Sequence, residues 1–137
     1  MNTTGRLRWF WAVLVLGALY FVAGIVFAAL AKSAVSTEMR TAWRLAAWVI
    51  SAVGFGAHLR YEHVRLNSSP RTTAFHVALA VGLGAFALAV SASLHARATQ
   101  HPFPVIALAI WPVVTALPAF LVALAIAAML TRARRNV

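Results

Sequence analysis

Five side chains in one stretch of this chain are spaced so that they could act together. Arg44, Ser51, His58 and Arg65 recur at intervals of seven, and Glu62 follows His58 by four residues. On a helix of 3.6 residues per turn this spacing lays all five along one side. Glu62 is then within reach of His58 four residues back and Arg65 three ahead, and such pairing would neutralise much of its charge. Two roles fit this line. One is a network of ion pairs close to lipid head groups; the other is a polar lining past which an ion or small solute moves.

A second pairing crosses helices. His58 lies nine residues before Asn67 and His76 nine after it, so a tight hairpin at Asn67 brings both to similar depth. Two histidines on neighbouring antiparallel helices can ligate one haem b iron from opposite faces, or hold a transition metal. Glu62 would then orient His58 as an outer acceptor. His63 competes for the same position, and His76 is near enough to the turn to be solvated.

Farther along, Ser91 and His95 are four apart, the spacing of a nucleophile and its base. No carboxylate accompanies them. The chain has no aspartate and no cysteine, and its side-chain carboxylates are Glu38 and Glu62. Disulfides, thiolate metal sites and cysteine nucleophiles are thereby excluded, and an acid pair for catalysis would need carboxylates pooled from several copies. An enzyme is the least expected class. Near the other end, Pro112 and Pro118 flank Thr115 inside an apolar run. Each proline removes a helix hydrogen bond, which predicts a kink, with Thr115 available to satisfy a freed carbonyl.

The elements that position these residues are membrane helices. Of 137 residues, 63% are hydrophobic and 10% charged, where soluble domains hold about half apolar and a quarter charged residues. Apolar runs place spans at about 9–31, 43–61, 72–94 and 103–130, joined by short loops. The first, Trp9 to Ala31, is longer than a signal-peptide core and reads as a mature helix. In the second, Arg44 and Arg60 sit one turn inside either end, from which their guanidinium groups can snorkel. Asn67-Ser68-Ser69-Pro70 and His101-Pro102-Phe103-Pro104 mark turns. Gly17, Gly24 and Ala31 on the first helix, and Ala80, Gly84, Ala87 and Ser91 on the third, make small-residue stripes of the kind through which membrane helices pack. The expected fold is all-α: a single membrane domain over residues 1–137, folded as a left-handed four-helix bundle with four transmembrane helices.

A net charge of +10 raises nucleic acid as a partner. The cations, however, gather at the ends of the apolar runs. With the N-terminus inside, Arg6, Arg8, Arg60, Arg65, Arg71, Arg132, Arg134 and Arg135 lie on the inner side and Lys32, Arg40, Arg44 and Arg97 on the outer. The positive-inside rule therefore favours both termini in the cytoplasm, with anionic lipid head groups rather than nucleic acid as the charged partner. The expected location is the inner membrane of a bacterial cell. The function expected is an oligomeric channel or transporter for an ion or small solute. The alternative is an accessory subunit of a larger membrane complex, binding one haem b through His58 and His76.

Overall fold

The computed structural model describes residues 3–66, 68–100 and 105–135, with side chains from 7 onward and up to 133. It holds four helices: α1 (Thr3–Ser33), α2 (Thr37–Val64), α3 (Pro70–Ala98) and α4 (Ala107–Arg135). Each expected span lies within one of them, except that residues 103 and 104 of the fourth fall outside the described part, and α4 opens at Ala107 after a turn at Val105–Ile106. Asn67, His101 and the side chains of Arg6, Arg134 and Arg135 also lie outside it.

The helix boundaries follow from capping chemistry. Ser36 caps α2, its hydroxyl accepting from the Met39 backbone N–H at 3.2 Å. In that first turn the Glu38 carboxyl is held below its ordinary range by its own backbone N–H and by the Ser36 hydroxyl. Ser69 caps α3 in the same way, accepting from the Thr72 N–H at 3.2 Å, and Pro70 takes the first helical position, where a missing N–H costs nothing.

The bundle is built with its small residues inside and its large apolar residues outside. Ala23, Ala31, Ala74, Ala78, Ala80, Ala85, Ala89, Ala123 and Ala127 are all buried, whereas Trp48 is 77% exposed, Met129 68% and Leu121 63%. In water so much uncovered apolar surface would drive association; in lipid it faces a solvent of its own kind. Leu7–Ser33, Pro70–Ala98 and Ala107–Ala133 are each long and apolar enough to cross a membrane. The chain is accordingly an all-α four-helix bundle of membrane-protein character.

α2 is long enough to cross but is interrupted by charge. Its placement follows from its neighbours. Trp9, near the start of α1, stacks on His76, near the start of α3, with ring centroids 4.5 Å apart. α1 and α3 therefore start at the same end, and a bilayer crossed by both is crossed in reverse by α2 between them. Lipid gives no hydrophobic drive for helices to associate, so close approach must hold the bundle together. The small-residue stripes supply it: α1 and α3 meet where Gly17 and Gly84 face each other, a Cβ at Gly84 falling 3.0 Å from the Gly17 carbonyl oxygen.

α3 is the central helix, packed on α1 along one side and on α4 along the other, where Gly82 lies against Ala116. α2 lies mainly along α1. Only the C-terminal half of α2 enters the interior, where Leu59 joins Ala74, Val77 and Ala123, flanked by Phe55, Phe120 and Leu124. Its N-terminal half keeps Leu45, Trp48, Val49 and Val53 exposed.

Candidate functional site

The buried polar residues collect at one place. His58, Glu62, Thr73 and His76 are the polar or charged side chains buried among the described residues, contributed by the end of α2 and the start of α3. Glu62 is fully buried, and both of its oxygens are engaged. Oε1 lies 3.0 Å from His76 Nδ1 and 3.8 Å from His58 Nε2, while Oε2 accepts from the Ser68 hydroxyl at 2.8 Å. The Ser68 backbone N–H also donates to the Glu62 carbonyl, at 3.3 Å. The turn between α2 and α3 is thus fastened to Glu62 twice, its side chain to the carboxylate and its main chain to the backbone carbonyl. A flat stack on Trp9, 2° between ring planes, fixes the His76 imidazole.

This arrangement redistributes the expected line. His58 and Glu62 are buried, Ser51 is half-buried, and Arg44 and Arg65 are exposed. Glu62 makes no ion pair with Arg65 among the described residues. Its hydrogen bond goes across the turn to His76 rather than back to His58, because 3.8 Å exceeds hydrogen-bond length. Neither ring nitrogen of His58 has a hydrogen-bond partner among the described residues, and the Thr73 hydroxyl has none either. The reading of His76 as solvated is corrected: it is 7% exposed, shielded by Trp9. His63 stays half-buried and outside the group.

The hairpin does bring His58 and His76 to one depth, and a carboxylate oxygen is their shared neighbour. Placing an iron between the rings would require that oxygen to leave. No cluster of three or more His, Asp or Glu side chains among the described residues has the arrangement of a metal site. What the geometry offers is one exchangeable proton between Glu62 Oε1 and His76 Nδ1, carried by the ring or by the acid according to the tautomer. The His58 imidazole stands beside it, its Nε2 3.8 Å from the same oxygen.

No protein family, curated protein or solved structure matches this chain.

At the other end of the bundle, Ser91 and His95 line a shallow apolar groove with Gly24, Leu88 and Trp111, and no hydrogen bond joins the two. In α4 the Thr115 hydroxyl donates to the carbonyls of Trp111 and Pro112, both at 3.0 Å. The carbonyls that Pro112 and Pro118 free are those of Leu108 and Val114, four residues back. Thr115 therefore braces the turn between the prolines instead of satisfying the groups they release. α4 runs through both as one helix.

Sequence reasoning missed Ser68, Trp9, Thr73 and Tyr20 as companions of this region. Ser68 was legible only as a turn former and Trp9 only as the first residue of the first apolar run. Their spacing from Glu62 and His76 obeys no helical period, so only the folded hairpin shows the contacts.

The cluster makes a spectroscopic prediction. Gently purified protein is expected to show no Soret band, oxidised or reduced, because the two histidines are turned to a carboxylate. A Soret band lost in both His58→Ala and His76→Ala would restore a haem site.

Proposed function

We propose that the chain is a small channel or transporter for an ion or small solute, with Glu62 and its two histidines as the site the permeating species passes. The observation that carries this reading is the burial of Glu62 at 0% exposure among helices of membrane length. An ionisable group so placed is costly and marks an ion path or proton relay more often than a structural need. His58 adds to it, since a buried imidazole with no partner among the described residues is destabilising on its own account and has ring nitrogens open to a moving species.

The path runs beside α2, with Ser51 and then Arg44 leading away from the cluster. The end bearing Arg8, Arg60, Arg65, Arg71 and Arg132 is the cytoplasmic one, in a bacterial cell membrane. Copies of the chain, or other membrane subunits, cover the outer half of α2, where Arg44 and its apolar neighbours are exposed.

Flux through reconstituted liposomes tests the reading. His58→Ala is expected to abolish flux of the conducted ion while the helical content and elution profile stay those of the parent. Unaltered flux in that variant would remove the path.

A further inference from the structure

One buried polar group lies on the same column and has no role in the cluster. Tyr20 of α1 has a hydroxyl shielded from solvent that no group among the described residues hydrogen-bonds. Buried tyrosine hydroxyls ordinarily find a partner. Two glycines seat this residue. Its Cβ packs at Gly84 of α3, where an added Cβ would fall 2.7 Å away. Its ring edge and hydroxyl lie at Gly54 of α2, 3.8 and 4.0 Å from where a Cβ would stand.

Gly54 is three residues after Ser51 and four before His58, and both intervals keep to one face of α2. The hydroxyl therefore lies over the line Ser51, Gly54, His58 and Glu62. Four residues of helix rise about 6 Å, so roughly that distance separates the hydroxyl from the level of His58. That difference in level is close to the about 5.5 Å that one water spans with two hydrogen bonds, and each of these two groups lacks a partner among the described residues. Nε2 is the His58 nitrogen nearer the carboxylate, which leaves Nδ1 for the column.

We infer that Tyr20 and His58 hold water between α1 and α2 and relay protons to Glu62, so that the species this protein conducts is the proton. This rests on the reading of the cluster as an ion path and names its substrate. The transfer is conservative. Water hydrogen-bonded to Tyr20 delivers a proton to Nδ1 of His58, whose Nε2–H passes its own proton to the Glu62 carboxylate, and a rotation of the resulting Nδ1–H imidazole restores the starting tautomer before the next transfer. Tyr20 donates its hydroxyl proton and accepts another, and ends as it began. A small shift of the imidazole closes the 3.8 Å to Glu62 Oε1, and Ser68, at 2.8 Å from Oε2, stands where the proton leaves toward the turn.

The test uses the full chain in liposomes with an imposed potassium potential and a pH-sensitive dye inside. Wild type is expected to carry protons, and Tyr20→Phe to slow them about a hundredfold or more with helical content intact, within the range by which one positioned proton-transfer group changes a rate. Gly54→Ala, which adds a methyl beside the hydroxyl and keeps Tyr20, is expected to slow them too, and stands in should Tyr20→Phe misfold. Parental rates in both variants, with Glu62→Gln inactive, would overturn the Tyr20 column and leave the cluster as the ion site. Wild-type flux of sodium or potassium without protons would overturn the proton assignment alone. Absence of flux for every ion tried would overturn the path itself and this inference with it.

Discussion

The Glu62→Leu variant is expected to unfold with about 3–5 kcal/mol less stability than the parent, the usual effect of breaking a buried pair by removing one partner. Two groups lose their hydrogen-bond partner at once and a third loses a neighbour. The Ser68 hydroxyl loses its acceptor at 2.8 Å, His76 loses the partner of Nδ1 at 3.0 Å, and His58 loses its nearest charged neighbour. Leucine fits the volume but leaves those polar groups facing an apolar wall. Glu62→Gln separates two contributions. An amide keeps one acceptor and adds a donor, so it preserves part of the hydrogen bonding and is expected to cost only about 1–2 kcal/mol. It cannot, however, take up and release a proton at neutral pH. The same substitution is therefore expected to abolish flux with modest loss of stability.

Thermal or denaturant unfolding in detergent micelles, followed by circular dichroism, checks the stability half of this expectation. Pairing Glu62→Gln with His76→Ala checks its origin. The two changes share one hydrogen bond, so the double variant should cost less than the sum of the singles. Additive costs would mean that Glu62 and His76 are held independently, and a Glu62→Leu variant as stable as the parent would sink the account of the cluster.

Gly84→Ala is expected to destabilise the bundle by about 1–3 kcal/mol, the range for inserting a methyl into a tight contact. The new Cβ would stand 2.7 Å from the Tyr20 Cβ and 3.0 Å from the Gly17 carbonyl oxygen. Both are parts of the α1 backbone or fixed to it, so no side-chain rotation relieves the clash and the two helices must move apart. Because lipid supplies no compensating drive, the lost contact between α1 and α3 is not recovered elsewhere. Gly56→Ala is the control. It lies on the same kind of helix, and an added Cβ there meets nothing within 4 Å. That variant is expected to be neutral or to gain roughly 0.5–1 kcal/mol from reduced backbone entropy in the unfolded chain. Equal behaviour of the two variants in the same unfolding assay would show that α1 and α3 do not approach closely at Gly84.

Spreading Gly84 outward has a second consequence. Tyr20 reaches α2 only because its Cβ is seated at Gly84 and its ring at Gly54. A methyl at Gly84 pushes Tyr20 off that seat and should slow proton flux along with the loss of stability.

Much of this architecture follows from local rules that operate along the chain. Three apolar runs of spanning length and a fourth broken by charge, the Ser68-Ser69-Pro70 turn, the serine cap and the asymmetry of arginine between the two ends are set by period, length and side-chain chemistry. The stripe of Gly17 and Gly24 likewise announces a contact face, since small residues at helical spacing admit a neighbouring backbone whatever that neighbour is. The histidines near the second turn are also legible as a pair, because equal distance from a tight turn means equal depth on antiparallel helices. What period could not decide was which partner Glu62 takes. Spacing alone favoured His58 and Arg65, its neighbours on α2. Packing of Leu59 against Val77 and Ala123 turns α2 so that Glu62 points inward, leaves Arg65 outside, and sets the carboxylate against His76 and Ser68. Spacing along one helix limits which residues share a face, but the rotation of that face toward its neighbours is an outcome of the whole bundle. Tertiary structure alone therefore decided the partners of Glu62 and the meeting of Tyr20 with Gly54 of α2.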